Sequence, residues 1–267
     1  MRHLSFLLKE YIMFHFSRAV LLGVVVLMLS MPALATSINV SFHDWQRNQS
    51  SISYAYDGGA LNVSGLRAQN NETIGSWNVQ SWGGNNGGLG VWNGNRFLSH
   101  GLSNQNYRYE MVLLDFGQAV SLNSFTVSYG TYAHNNRASV LAYTGSDVIN
   151  SQSFSDLRWD QLVGNEFTTA GHPNSLQGVA NHRAKQIDGG LVSQYWLIGV
   201  YNKAFAESQD VEALGTYLEG FKLSSVDFTA VSEVPLPAAA WLFLTGLAGM
   251  AWMKKRKAKQ SSELQVA

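Results

Sequence analysis

Aromatic side chains in a stretch rich in glycine and asparagine have the clearest chemical potential in this chain. The run WGGNNGGLGVW begins at Trp82 and ends at Trp92. Indole faces stack on sugar rings, and asparagine side chains hydrogen-bond hydroxyl groups. Trp82 and Trp92 are therefore candidate glycan contacts, and core packing is the alternative role for any single ring. The other aromatic residues in or beside this stretch are Trp77, Tyr107, Tyr109, Tyr129 and Tyr132.

The glycines of this stretch predict a long, ordered loop over residues 75–106, because glycine allows positive φ and close backbone approach. Glycine-rich runs bind phosphate where they follow a strand and open a helix. No Lys-Ser/Thr pair follows this run and no helical pattern begins there. Nucleotide binding is therefore not expected.

Metal-binding and catalytic motifs are missing from the sequence. Asp156, Asp160 and Glu166 are the best-placed carboxylates for calcium, but their spacing differs from that of a calcium-binding loop. No motif places a carboxylate pair for glycoside hydrolysis, no G-x-S-x-G elbow is present, and the chain has no Cys. We therefore expect a non-enzymatic protein without a cofactor, with dispersed calcium ligands as an alternative. Exposed loop positions are expected for His43, His100, His134, His172 and His182.

Short runs of alternating apolar and polar residues must position these side chains. The pattern predicts an all-β fold, an antiparallel β-sandwich of jelly-roll type, over residues 36–232. Residues 57–59 suit a hairpin, and residues 115–118 and 144–147 are further turn signals. Short helical turns are predicted within residues 156–162 and 204–214. The predicted strands are residues 38–42, 51–56, 60–66, 111–116, 124–129, 138–143, 195–201 and 221–229.

Overall composition restricts the class of protein. The 267 residues include 18 Lys plus Arg and 18 Asp plus Glu, so the net charge is zero. A strongly basic nucleic-acid binder is thereby excluded. The absence of Cys excludes a disulfide framework, and 46% hydrophobic residues exclude general disorder.

The N-terminal residues 1–35 have the pattern of a signal peptide. Arg2, Lys9 and Arg18 precede an apolar run over residues 19–31, and the small-residue pair Ala33 and Ala35 follows. This order of basic, apolar and small residues predicts cleavage by signal peptidase after Ala35. Met13 is an alternative start that leaves a shorter basic region.

The C-terminal residues have three parts. Val234, Pro235, Leu236 and Pro237 precede the 16 apolar residues 238–253, whose Trp241 and Trp252 suit membrane interfaces. As a helix this segment is about 24 Å long, against about 30 Å for a hydrocarbon core. The following basic cluster predicts a cytoplasmic end and consists of Lys254, Lys255, Arg256, Lys257 and Lys259.

This order of proline motif, apolar helix and basic end resembles the PEP-CTERM sorting signal of Gram-negative bacteria. Pro235-Leu236-Pro237 stands where that family usually has Pro-Glu-Pro, with Glu233 in front. The resemblance implies a sorting signal over residues 233–259, a cytoplasmic tail over 260–267, and processing by an exosortase near the prolines. A plain membrane anchor, with the helix retained, is the alternative.

The body has a weaker likeness to exosortase-dependent surface proteins. It rests on patches of residues 75–230, among them the segments 87–91, 112–117, 140–143, 195–202 and 221–226. Where such relatives often have a His-Ala-Val-Asp-Asn-like segment, residues 100–104 read His-Gly-Leu-Ser-Asn and have no acidic residue. The likeness therefore implies membership and no ligand role.

The net charge of the body differs in sign from that of the two ends of the chain. Residues 36–253 contain ten basic and 16 acidic residues, a net charge of −6, and the basic residues of the two ends restore neutrality. We therefore expect an exported surface or extracellular-matrix protein outside the inner membrane, anchored there before processing. The expected partners are signal peptidase, an exosortase, the inner membrane and an exopolysaccharide, without nucleic acid. The alternative function is a carbohydrate-binding module or lectin.

Overall fold

The computed structural model describes residues 36–69, 72–92, 101–104, 108–130, 136–170, 176–179, 181–187, 190–205, 220–231 and 245–246. Residues Ala35–Val231 form one compact unit. The predicted signal peptide, including Ala33 and Ala35, lies outside the described residues. So does the predicted sorting signal, apart from Thr245 and Gly246. In the part of the chain that the structure describes, no helix has the length and hydropathy needed to cross a membrane.

The described unit is all-β, as predicted. Three short 3-10 helices, at Ser151–Phe154, Trp159–Gln161 and Lys203–Phe205, interrupt the strands. The strands are β1 Ser37–Ser41, β2 Gln46–Gln49, β3 Ser51–Tyr56, β4 Gly59–Gln69, β5 Gly75–Trp77, β6 Val79–Trp82, β7 Gly88–Val91, β8 Leu102–Ser103, β9 Arg108–Ser128, β10 Asn136–Tyr143, β11 Phe167–Thr169, β12 Leu176–Val179, β13 Ala184–Gln186, β14 Val192–Val200 and β15 Gly220–Ala230.

These strands form one large sheet in which every pair of named strands is antiparallel. Its main order is β11-β10-β14-β9-β15-β7-β6-β2, and β3 and β5 extend it through β4, which also pairs with β9. The predicted hairpin is confirmed, since Tyr56 pairs with Gly59 and Gly58 has a φ of 96°. Only Asp57 and Gly58 connect β3 to β4, which is the length of a two-residue hairpin turn.

Strand β9 connects the two halves of the sheet. Its first half, from Arg108 to Asp115, pairs with β4, its second half pairs with β15, and β14 pairs with both halves. Between them, the amide of Gly117 donates to Asp115 Oδ1 at 2.9 Å, and Gly117 has a φ of 67°. The turn predicted at residues 115–118 is therefore a bulge inside one long strand, and the chain does not reverse there.

Two hydrophobic clusters pack on opposite faces of the first half of β9. Val112 and Leu114 belong to the first cluster, which also receives Leu223 of β15 and Leu89 of β7. Tyr109, Met111 and Leu113 belong to the second cluster. Because successive side chains of a strand point to opposite faces, one strand contributes to both cores.

The 3-10 helices cover the second cluster. Phe154 and Trp159 are fully buried there, and Trp159 Nε1 donates to the Ala68 carbonyl at 3.3 Å. The helical turn predicted within residues 156–162 is thus present as a 3-10 helix. Of the segment 204–214, the described residues end with the 3-10 helix at Lys203–Phe205.

The prediction of a long loop over residues 75–106 is wrong. Its described part contains β5, β6, β7 and β8, and β6 and β7 form a hairpin closed by the turn at residues 83–87. These four strands could not be predicted from the sequence because each has four residues or fewer. Glycine normally disfavours strands, and here it is retained where another backbone approaches closely.

Candidate functional site

A partly exposed group of aromatic and basic side chains lies at the β15, β7, β6 and β2 edge of the sheet. Trp45, Arg47, Trp82, Tyr129 and Lys222 form this group, which we call the aromatic–cation patch. It combines side chains that are distant in sequence. The order of the strands explains how they meet, since β15, β7, β6 and β2 are consecutive neighbours.

Strand alternation directs Trp82 and Lys222 to the same face. Val79 of β6 and Leu223 of β15 point into the first hydrophobic cluster, so Trp82 and Lys222, at odd spacing from them, point away from it. Gly88 of β7 lies between the two strands and pairs with Trp82. Because Gly88 has no side chain, the Lys222 Nζ reaches to 5.5 Å from the centre of the Trp82 ring.

Two tryptophans form the aromatic surface of the patch. The ring centres of Trp45 and Trp82 are 5.1 Å apart, with an angle of 66° between the ring planes. Trp45 is 63% exposed, whereas Trp82 is half-buried. An indole this exposed contributes little to the core, so its large apolar face is available to a ligand.

Two cations each lie close to two of the three aromatic rings. Arg47 Cζ is 5.5 Å from the centre of the Trp45 ring and 5.3 Å from that of Trp82. Lys222 Nζ lies 5.5 Å from Trp82 and 5.1 Å from the centre of the Tyr129 ring. Each cation is therefore in cation–π range of two rings, and Trp45 and Trp82 also contact each other directly.

Lys222 is a buried cation without a carboxylate partner among the described residues. Its side chain is 8% exposed, and its Nζ donates to the carbonyl of Asn86 at 3.0 Å. Burial lowers the pKa of Lys222 from its ordinary value of 10.5. Neighbouring rings and one carbonyl offset part of that desolvation, and they leave ammonium donors available for an anion.

The glycine run shapes this surface. A Cβ on Gly83 would lie 2.7 Å from Trp45 Cδ1, and one on Gly88 would lie 3.0 Å from the Cβ of Lys222. The Gly87 amide donates to the Gly84 carbonyl at 2.8 Å, and Gly84 has a φ of 83°. Glycine at these positions thus closes the β6–β7 turn and leaves room for the indole and the lysine stem.

Tyr129 completes the patch from the end of β9. Its φ of 46° lies in the left-handed region, which costs a non-glycine residue about 1 kcal/mol or more. The backbone on both sides is fixed, since Ser128 donates its hydroxyl to the Gly87 carbonyl and the Gly130 amide donates to Asn181 Oδ1. The ring is consequently 55% exposed beside Lys222.

The two tryptophans predicted from sequence as glycan contacts lie at opposite ends of the β6–β7 hairpin. Trp82 pairs with Gly88 at the turn, whereas Trp92 follows Val91, which pairs with Val79 at the other end. Trp82 belongs to the patch, and Trp92 is half-buried. Trp77 is 41% exposed and packs under the Arg67 guanidinium, while Tyr109 is buried. Tyr107 and Tyr132 lie outside the described residues.

Three of the five patch residues were not predicted from sequence. Trp45 and Arg47 have a weak signal, because an i, i+2 pair on an extended segment shares one face. Lys222 lies between Phe221 and Leu223, and alternation alone directs it away from the core side that those two occupy. The proximity of these three residues to Trp82 depends on strand register, which no local sequence pattern predicts.

Metal-binding carboxylates do not converge. No group of three or more His, Asp or Glu residues that could hold a metal ion occurs among the described residues, which include Asp156, Asp160 and Glu166. Asp160 instead forms an exposed ion pair with Arg158 at 3.1 Å. His43 and His182 are exposed, and His43 Nε2 lies 2.7 Å from Ser224 Oγ. The other three body histidines lie outside the described residues.

A cleft of about 220 Å³ beside the second cluster is lined by Asp147 and Glu166 together with Tyr143. Both carboxylate residues are exposed. A glycosidase holds one carboxyl group in apolar surroundings so that it stays protonated as the general acid. Neither residue has such surroundings, so this cleft supports no hydrolytic assignment.

The aromatic–cation patch is therefore the feature with the strongest case for ligand binding in the described structure. Exposed rings provide stacking surfaces, and two cations without carboxylate partners provide donors. Comparison with known proteins adds no assignment: the chain matches no family model, no curated protein and no solved structure.

Proposed function

We propose that this protein is an exported, non-enzymatic surface or extracellular-matrix protein that an exosortase sorts through its C-terminal signal. The observation that carries the proposal is the order of the C-terminal residues: Pro235 and Pro237, 16 apolar residues, and then Lys254–Arg256 and further basic residues. A basic end retained in the cytoplasm places the preceding body outside the inner membrane. The signal-peptide pattern of residues 1–35 predicts the same topology.

A sandwich of jelly-roll type is the finer fold that we propose for the body. Two observations support it. Strand β9 pairs with β4 in its first half and with β15 in its second, while β14 pairs with both halves. Side chains from both halves of β9, such as Val112 and Phe125, join one buried cluster. A long strand that changes partners at a bulge is a common way to pass from one layer to the next.

Mass spectrometry of the mature C-terminus tests the sorting proposal. The full-length chain is expressed in hosts with and without an exosortase. We expect a C-terminus near Pro235–Pro237 in the first host and an intact end at Ala267 in the second. Replacing both prolines by Ala should prevent cleavage, whereas Pro173→Ala in the body should not. Identical C-termini in the two hosts would overturn the proposal in favour of a plain anchor.

Carbohydrate binding is the second candidate function, and the geometry of Trp45 and Trp82 favours it. Two indoles at 66° with centres 5.1 Å apart present a broad, partly exposed apolar surface beside hydrogen-bond donors. Such a surface fits the apolar face and the hydroxyl groups of a pyranose.

A polysaccharide pull-down with the full-length protein in detergent micelles tests this second function. We expect binding with a Kd below about 1 mM. Trp45→Ala and Trp82→Ala should each abolish it. Trp92→Ala is the matched control, since Trp92 lies at the other end of the hairpin. Unchanged binding in both patch variants would exclude the patch.

A further inference from the structure

We infer that the aromatic–cation patch binds an acidic polysaccharide, with Arg47 and Lys222 contacting the carboxylates of its uronic acid units. This inference rests on the carbohydrate binding proposed above and names the class of glycan. Its basis is the position of Arg47 and Lys222. Each lies within cation–π range of two aromatic rings, and neither forms an ion pair with a described residue.

The environment of Lys222 favours an anion. The side chain is 92% buried, between Trp82 at 5.5 Å and Tyr129 at 5.1 Å. Its ammonium group has three donors, and the Asn86 carbonyl accepts from it at 3.0 Å. A buried charge is stabilised most by an opposite charge, and the described residues supply none within ion-pair distance. A ligand carboxylate would fill that role.

Arg47 offers a second anion contact on the other side of Trp82. Its guanidinium lies 5.5 Å and 5.3 Å from the Trp45 and Trp82 ring centres. Arginine presents a planar fork of N–H donors that matches a carboxylate. Asp44 is the nearest carboxylate in the sequence, and within the described residues it forms no ion pair with Arg47. The fork is therefore available to a ligand.

Ring and cation positions together match an acidic sugar. A uronate carboxylate projects from the edge of its pyranose ring. When that ring stacks on Trp45 or Tyr129, the edge lies beside the cation adjacent to that aromatic ring. Because each cation lies near two rings, two neighbouring sugars could each combine stacking with a carboxylate contact.

The number of cations distinguishes an acidic glycan from nucleic acid. Residues 36–253 have a net charge of −6, so a dense polyanion is repelled by the body as a whole. Nucleic-acid binding depends on many simultaneous phosphate contacts. Two local cations can pair with the carboxylates of two neighbouring sugars, and the aromatic side chains provide stacking for the sugar rings.

Binding of full-length protein in detergent micelles to acidic glycans and to their esters tests the inference. The probes are polygalacturonate, alginate and hyaluronan, each beside its methyl-esterified form, and poly-dT. At least one acid form should bind about tenfold or more tightly than its ester. Arg47→Gln and Lys222→Met should each weaken binding to the acid form about tenfold more than binding to the ester.

A control variant outside the patch and two separate patch variants distinguish the possible outcomes. Arg158→Gln removes one exposed positive charge from the segment that covers the second hydrophobic cluster and should leave binding unchanged. Arg47 is exposed on β2, so its variant should fold even if Lys222→Met does not. Equal binding to acid and ester would overturn the inference and leave carbohydrate binding intact. Binding to none of the glycans would overturn both, and tighter binding to poly-dT would assign the patch to nucleic acid.

Discussion

The indole of Trp45 packs directly on the backbone of Gly83. A Cβ at Gly83 would lie 2.7 Å from Trp45 Cδ1, which is closer than real Cβ contacts come. Gly83 follows Trp82, so one residue of the glycine run sets how the two indoles meet. The orientation of an exposed ring therefore depends on the absence of a side chain beneath it.

Gly83→Ala should displace Trp45 and reduce glycan binding about tenfold, while the free energy of unfolding falls by less than about 1 kcal/mol, because the exposed indole can move away. Tryptophan fluorescence and the polysaccharide pull-down measure the two effects.

Gly84→Ala is the control: a Cβ there meets nothing within 4 Å, but its φ of 83° is strained. That variant should lose about 1 kcal/mol and keep its binding. Equal glycan binding by Gly83→Ala and wild type would contradict the prediction.

The sequence allowed the strands of five residues or more and the first hairpin to be predicted, because both depend on local chemistry. Alternation in Ser51–Tyr56 matches the observed alternation of exposed and buried side chains, and Asp57 with Gly58 forms the turn. At Asp115 and Gly117 the local hydrogen bond of a turn is also present. Whether such a turn reverses the chain depends on strand partners far away in sequence, so it became a bulge.

The site could be predicted only in part for the same reason. Trp82 was identified because it lies in a conspicuous glycine-rich run. Lys222 reaches Trp82 only through the pairing of β15 with β7, which joins Leu223 to Leu89. Residues 45, 82, 129 and 222 come together through strand register, and register is not encoded in any short segment.

A buried ion pair links β4 to β9, and Glu110→Gln should destabilise the protein by about 3 kcal/mol. Arg67 and Glu110 face each other in the register, with Nε 3.5 Å from Oε1 and side-chain exposures of 9% and 2%. Burial lowers the pKa of Arg67, and the charge of Glu110 opposes that shift. Removal of the carboxylate leaves a buried guanidinium that lies above the Trp77 ring and has lost the charge of Glu110.

Urea denaturation checks this prediction with the double variant Arg67→Met/Glu110→Leu as its comparison. Replacing both charges by apolar side chains avoids the uncompensated cation, so the double variant should recover most of the loss. A double variant as unstable as the single one would show that the ion pair itself, rather than the orphaned charge, determines stability here.

Two tryptophans offer a direct contrast between core and surface. Trp159→Ala should cost about 3–5 kcal/mol, because Trp159 is fully buried in the second cluster and donates to the Ala68 carbonyl at 3.3 Å. Trp45→Ala removes the same atoms from a ring that is 63% exposed, and should cost about 1 kcal/mol or less. Thermal unfolding of both variants measures the difference, and similar losses would contradict the ligand-facing role of Trp45.

Alkaline pH should destabilise the protein partly through Tyr54. Burial raises the pKa of Tyr54 from 10.0 to about 12, the Ser81 hydroxyl opposes the shift and the Asp44 carboxylate adds to it. Between these values the unfolded chain releases the phenolic proton and the folded chain keeps it, so the free energy of unfolding falls from pH 10 to about 12. Tyr54→Phe should fall less steeply over that range, with the remaining slope arising partly from Tyr143 and Tyr195, whose pKa values burial also raises. Urea denaturation at several pH values measures both slopes. Because the two proteins share every other ionisable group, the difference between the slopes reports Tyr54. Parallel curves would show that Tyr54 has an ordinary pKa in the folded protein.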